Sequence, residues 1–140
     1  MSSGVGVNDN CLTEFQVIKL GKKYRYVIYK LSADNKEIVV DKTGPIDSTY
    51  DSFTAELPEA EPRWVVYDFE YKLDEGGQRN KLTFISWSPD DAKIRPKMLY
   101  ASSRDALRRR LDGIALEIQG TAFDEVSYEA ILDKAKRSAR

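Results

Sequence analysis

The sequence predicts an α/β fold in which a mixed sheet is packed by helices on both faces. Three observations carry that reading. Aromatic and β-branched runs at 24–31, 37–41, 64–73 and 81–87 are separated by polar turns, the pattern of successive hairpins. A long helical period follows at 93–111, so a crossing helix comes after the hairpins. The start of the third run, Trp64-Val65-Val66-Tyr67, is continuously apolar, as a central strand covered on both faces requires.

The elements can be justified in order. Residues 1–7 contain Ser2, Ser3, Gly4 and Gly6 and read as a flexible arm, leaving 8–140 as the folded domain. Asn8 or Asp9 caps a helix in which Cys11, Leu12, Phe15 and Ile18 recur at helical spacing, and Gly21 stops it. The strands 24–31 and 37–41 form a hairpin about the turn Ala33-Asp34-Asn35-Lys36. Thr43-Gly44-Pro45 then breaks the chain. A short helix at 50–57 carries Tyr50, Phe53 and Leu57 on one face, and 58–62 is a Pro-bounded breaker. Glu75-Gly76-Gly77-Gln78 turns between strands 64–73 and 81–87. Ser88-Pro89-Asp90-Asp91 ends the second of these. Pro96 fits the first turn of the long helix, and Asp112-Gly113 closes it. A short strand is expected at 114–119, broken by Gly120. Ser127 caps a last helix with Tyr128, Ile131, Leu132 and Ala135 inward and Asp133, Lys134 and Arg137 outward.

Length and composition bound the function. A chain of 140 residues makes one domain the default, and 41% hydrophobic with 32% charged residues is ordinary for a globular protein. No apolar run reaches the roughly 18 residues of a membrane span, and the opening residues lack the pattern of a signal peptide, so an intracellular soluble protein is expected. There is no histidine, which excludes Ser-His-Asp and Cys-His nucleophilic systems, histidine zinc sites and a histidine pH switch. The single cysteine, Cys11, precludes an internal disulfide and reads as a small core thiol. Lys plus Arg is 22 against Asp plus Glu at 23, a net charge of −1 that argues against a general nucleic-acid binder.

The helix at 93–111 holds the most informative surface. At about 100° per residue, Tyr100, Ser103, Leu107 and Leu111 fall on one side. Met98, Asp105 and Arg109 fall opposite, flanked by Ala101 and Ser102. A merely solvated face carries Glu, Lys and Gln; a bare methionine among small residues and arginines looks like a surface made to be covered. The run Arg108-Arg109-Arg110 suits the helix C-terminus electrostatically. That explanation does not reach Arg95, Lys97 and Arg104. With Arg79 and Lys81 on a neighbouring strand these are enough cations for an anionic ligand, although a solvated basic face accounts for them equally well by composition. Asp68 and Glu70 share one face of a strand, as paired acid–base carboxylates would. They alternate with Tyr67, Phe69 and Tyr71, however, which is ordinary strand patterning.

The segment WSPDDAKIRPKMLYASSRDALRRRLDG closely resembles the long-helix signature of the actin-depolymerising factor/cofilin family, with KMLYASSRDALRRRL at 97–111. The strands LGKKYRYVIY and YDFEY, the hairpin GQRNKLTFISWSPD and the segment GTAFDEVSYEAIL follow in family order, and the similarity is strongest to fungal cofilins. The resemblance implies a single actin-depolymerising-factor homology domain with a mixed five- or six-stranded sheet between helices. It implies a monomeric, non-enzymatic cytoplasmic protein of the cytoskeleton, placed at cortical actin structures, that needs no cofactor. Its expected partners are ADP-actin monomers and filament sides, together with further actin-turnover factors and not nucleic acid. It would sever and depolymerise filaments and so drive actin turnover.

Position by position, the resemblance assigns Ser3, Gly4, Val5, Arg95, Lys97, Met98, Ser102, Arg104, Asp105, Arg108 and Arg109 to monomer and filament binding. It assigns Arg79, Lys81, Asp133, Lys134 and Arg137 to filaments alone. Phosphoinositide headgroups would inhibit through Lys97, Arg104, Arg108, Arg109 and Arg110, and Ser3 is the implied phosphorylation site. The chain departs from the family in three ways. The basic insert of vertebrate members is absent, leaving only Lys22-Lys23 and no clear nuclear-import signal. Pro96 stands where Ser is common, and no histidine is available for a proton switch.

Overall fold

A computed structural model describes residues 4–21 and 23–137. Six strands form one sheet: β1 (Gly6–Val7), β2 (Tyr24–Leu31), β3 (Glu37–Pro45), β4 (Arg63–Lys72), β5 (Gln78–Trp87) and β6 (Leu116–Gly120). Their order is β1-β3-β2-β4-β5-β6. The outermost pairs, β1 with β3 and β5 with β6, are parallel; the inner ladders are antiparallel. The sheet is therefore mixed and six-stranded.

Helices cover both faces. On one side α1 (Asp9–Lys19) and α3 (Ile94–Arg108) bury Cys11, Phe15, Ile18 and Leu107 against Val27, Tyr29, Trp64, Val66 and Phe84. On the other, α2 (Tyr50–Thr54), a 3₁₀ turn at Phe123–Val126 and α4 (Tyr128–Arg137) bury Phe53, Val126, Ile131 and Ala135 against Ile28, Val65, Tyr67, Phe69 and Ile85. The alternation along β4 is thus shared between two cores. That is why its sequence is apolar on both faces at the start.

Local signals work where expected. The Asn8 side chain accepts from Asn10 N at 2.9 Å and caps α1. Asn35 supplies the left-handed residue of the first hairpin turn, with φ 60°. Ser127 Oγ accepts from Ala130 N at 3.2 Å and caps α4.

Several expectations need correction. The arm does not run to residue 7, because Gly6 and Val7 pair with Glu37 and Ile38 and tie the N-terminus to the sheet. Thr43-Gly44-Pro45 does not break the chain; β3 continues to Pro45. Gly44 lies opposite Tyr26, and the Tyr26 ring occupies the space a Cβ would need, so glycine is demanded by close packing and not by a turn. β5 begins at Gln78 and not at Lys81, because its partner strand extends the ladder to the Lys72–Gln78 pair. α2 ends at Thr54, with Leu57 still buried by the following turn. α3 ends at Arg108, earlier than Leu111, and the chain turns before Gly113. The last strand begins at Leu116, later than 114, and includes Gly120, where Val126 Cγ1 would lie 2.5 Å from any Cβ.

Candidate functional site

α3 is held by its inner stripe. Ser103 and Leu107 have no solvent exposure. The Tyr100 ring lies on Trp64, with centroids 4.5 Å apart, and its hydroxyl oxygen accepts from Leu31 N at 3.0 Å. This anchors the helix across the end of β2. At the N-terminus Lys93 has extended backbone with no side-chain cap, and Pro96 sits in the first turn as expected.

The outer face is assembled at i, i+3/i+4 spacing from Arg95, Met98, Ser102, Asp105 and Arg109, all of them exposed. Met98 is 67% exposed and Ile94, one turn earlier, 71%. Together these make an apolar ridge. Ile94 extends the face beyond the residues that the helical pattern singles out; its signal in the sequence is an apolar residue four positions before Met98. Ser102 Oγ donates to the Leu99 carbonyl at 3.1 Å and so stays close to the helix.

Lys97, Arg104 and Arg108 are different. They lie on the flank of α3 that faces β5 and β6. Lys97 Nζ donates to the Asp90 carbonyl at 2.9 Å, fastening the first turn to the preceding loop. Arg104 donates to Ser86 Oγ at 3.3 Å, pairs with Asp105 at 3.1 Å and with Glu117, and lies 5.3 Å from the Phe84 ring centroid. Arg108 Nε contacts the other Glu117 oxygen at 3.0 Å, and its guanidinium donates to the Leu111 carbonyl at 3.1 Å. Partial burial opposes charge on Glu117. The hydrogen bonds and positive charge of Arg108 and Arg104 outweigh it and hold the carboxyl below the ordinary value of 4.5. Arg109 and Arg110 are exposed beyond this cluster. A cleft of about 300 Å³ runs beside the flank, lined by Trp64, Trp87, Lys97, Tyr100, Ala101 and Arg104 among others.

The N-terminal segment lies on the same side. β1 packs close to α3, and Val5 rests against the core beneath it. Gly4 has φ +81°, a conformation glycine adopts freely. Ser3, the implied phosphorylation site, lies outside the described residues, as does Lys22.

A second charged surface forms where α4 meets the β4–β5 hairpin. Lys81 Nζ donates to the Ala135 carbonyl at 3.3 Å, joining β5 to the last turn of α4. Burial and the neighbouring Arg79 charge both push the Lys81 ammonium pKa down. Lys136 pairs with Asp74 at 3.0 Å and Arg137 with Asp133 at 2.7 Å. The structure therefore brings Lys81 to the helix that carries Asp133, Lys134 and Arg137, with Arg79 exposed on the same hairpin.

The remaining candidates have structural roles. Asp68 is buried, accepts from Asn80 Nδ2 at 3.1 Å and lies 3.8 Å from Arg25, whereas Glu70 is exposed. Cys11 Sγ donates to the Ile38 carbonyl at 3.3 Å; burial, then the Glu37 charge, push its thiol up to about 12. The described residues contain no group of three or more His, Cys, Asp or Glu side chains placed for a metal ion. No helix among them is long and apolar enough to cross a membrane.

An exposed apolar ridge framed by charge, on a helix locked from behind, defines a domain that works by presenting a surface to a macromolecular partner. The comparisons give that class its family. Residues 4–136 match the model of the family described as cofilin/tropomyosin-type actin-binding protein. Cofilin of Mycosarcoma maydis is 59% identical over 138 residues, covering 99% of both chains. Cofilin of Ogataea parapolymorpha is 55% identical over 137 residues, covering 97% of this chain and 95% of that protein. The crystal structure of Streptomyces griseoflavus cofilin superposes with a TM-score of 0.91 at 56% identity, covering 96% of this chain and 98% of that one. The chain belongs to the cofilin/actin-depolymerising factor family.

Proposed function

We propose that this protein binds actin monomers and filament sides through the outer face of α3 and the flank carrying Lys97, Arg104 and Arg108, together with Gly4 and Val5, and that it severs and depolymerises filaments. Actin binding and depolymerisation follow from family membership; the assignment to residues is carried by one observation. Ile94 and Met98 stand exposed on a helix whose opposite stripe buries Ser103 and Leu107 completely. Such a ridge gains from desolvation against a partner, and Arg95, Asp105 and Arg109 supply the polar rim around it. The small residues Ala101 and Ser102 allow close approach.

The charged end at Arg79, Lys81, Asp133, Lys134 and Arg137 serves as the filament-specific surface, because filaments offer a second subunit for a second patch. Preference for ADP-actin, a cytoplasmic location at cortical actin, a monomeric state and the absence of catalytic activity complete the reading. Support for a non-catalytic role comes from the lack of histidine and the inert, buried cysteine. The exposed Arg109 and Arg110, with Arg104 and Arg108 on the adjoining flank and Lys97 further along α3, supply a surface for phosphoinositide headgroups. Phosphorylation of Ser3, next in sequence to Gly4, would add negative charge and weaken binding. Further actin-turnover factors would meet the protein on actin.

The deciding experiment is co-sedimentation of Arg95→Ala with Met98→Ala against filaments, with monomer binding measured in parallel. Loss of about 2 kcal/mol or more, roughly 30-fold, is expected for both actin forms while the unfolding temperature stays unchanged. Full binding by the double variant would remove α3 from the interface.

A further inference from the structure

We propose that Glu117 is a selectivity residue: its carboxylate holds Arg104 and Arg108 in the arrangement presented to actin and competes with phosphate-bearing lipid headgroups for both guanidinium groups. The two arginines stand four residues apart on α3, and one carboxylate from the edge strand β6 bridges them, one oxygen to each. A phosphate group binds paired guanidinium groups in the same way, through forked donors on neighbouring oxygens. Glu117 therefore occupies, from within the chain, the place a headgroup phosphate would take. Arg104 has further internal partners in Ser86 and Asp105, and Arg108 in the Leu111 carbonyl. Glu117 is the link common to both. Arg109 and Arg110, one step round the helix end, lie outside the bridge and stay exposed.

The same bridge acts in opposite directions on the two kinds of partner. Long arginine side chains lose rotamer freedom on docking, and an internal carboxylate that orders them beforehand lowers that cost for a protein surface. For a phosphate cluster the bridge is a competitor that must be displaced. The inference rests on α3 being the actin surface and on the basic face accepting phosphoinositide.

The test compares wild type with Glu117→Gln, which keeps the shape but removes the charge. Binding is measured to filamentous actin and to phosphatidylcholine vesicles carrying a bisphosphorylated phosphatidylinositol, with inositol trisphosphate in solution as a separate arm. Vesicle binding is expected to rise about fivefold per released arginine. Filament affinity is expected to fall roughly two- to tenfold. Glu117→Asp, one methylene shorter, should lie between. In an Arg104→Ala with Arg108→Ala background the Gln substitution should no longer raise vesicle binding. A gain that persists there would reduce the effect to bulk charge and overturn the proposal. So would unchanged vesicle binding, or parallel loss of both partners with a lowered unfolding temperature. A gain for vesicles without one for inositol trisphosphate places the released arginines at the membrane surface. A gain for both assigns them to the phosphates themselves. If neither wild type nor variant binds vesicles, the phosphoinositide reading falls together with this one. If Arg95→Ala with Met98→Ala retains actin binding, the α3 reading falls while the vesicle arm still decides on Glu117.

Discussion

The two charged surfaces lie on helices on opposite faces of one sheet and are built differently. On α3 the centre is apolar: Ile94 and Met98 are exposed, with charge around them. On α4 and the β4–β5 hairpin the charges largely answer one another, Arg137 to Asp133 and Lys136 to Asp74, with Lys81 turned to a helix-end carbonyl. An apolar centre supplies affinity that survives salt, whereas exposed charge pairs contribute little each and are screened. On the proposed reading, the first surface holds the partner and the second selects among its forms.

The sharpest way to break this comparison is to separate the two sides of α3. Leu107→Ala, at a fully buried position, is expected to cost about 2–5 kcal/mol of stability in a denaturant titration. Met98→Ala should leave that titration unmoved and instead cost about 1–2 kcal/mol of actin affinity. Loss of stability from both would mean that Met98 packs inward. At the other surface, Arg79→Ala with Lys81→Ala should weaken filament binding by about 1 kcal/mol, spare monomers, and lose its effect at high salt. Equal weakening toward monomer and filament would dissolve the distinction between the two surfaces.

The tyrosine hydroxyls sharpen the contrast between the two cores. On the α4 side, Tyr50 Oη donates to the Val126 carbonyl at 2.6 Å. On the α3 side, Tyr29 Oη is buried and, among the described residues, finds no hydrogen-bond partner. Burial therefore drives the Tyr29 phenol pKa up. Tyr50→Phe should cost about 1 kcal/mol, whereas Tyr29→Phe should be neutral or stabilise by up to about 1 kcal/mol. Thermal unfolding of the two variants checks the opposite signs.

The smallest effect concerns pH. Glu117 titrates below its ordinary value because Arg108 and Arg104 outweigh partial burial. Its bridge thus adds stability that is fully present above pH 4.5 and is lost as pH falls through the lowered pKa. The acid limb of the unfolding curve of Glu117→Gln should be shallower than that of wild type in this window. Identical limbs would show that the bridge carries no linkage.

Much of this was legible before the structure. The α3 stripe of Tyr100, Ser103 and Leu107 and the cap at Asn8 follow from local spacing and local hydrogen bonding, which any sequence carries openly. The basic run was less legible. Arg104 and Arg108 look equivalent to Arg109 in sequence, yet two of them are tied to a carboxylate on another strand and the third is not. Ile94 is a lone apolar residue in the first turn of α3, and nothing local shows that it stays exposed. Gly44, in a Thr-Gly-Pro segment, reads as a chain break because nothing local reveals the Tyr26 ring beside it.

The sequence by itself determined the class of fold, the order of its hairpins and helices, and which side of α3 is buried. These depend on periodicity and on neighbours a few residues apart. Only the tertiary structure decided that Gly6 and Val7 join the sheet, that β3 runs through Pro45, and that Glu117 closes on Arg104 and Arg108. Each of those depends on a partner distant in sequence, whose position is set by how the whole sheet twists and packs.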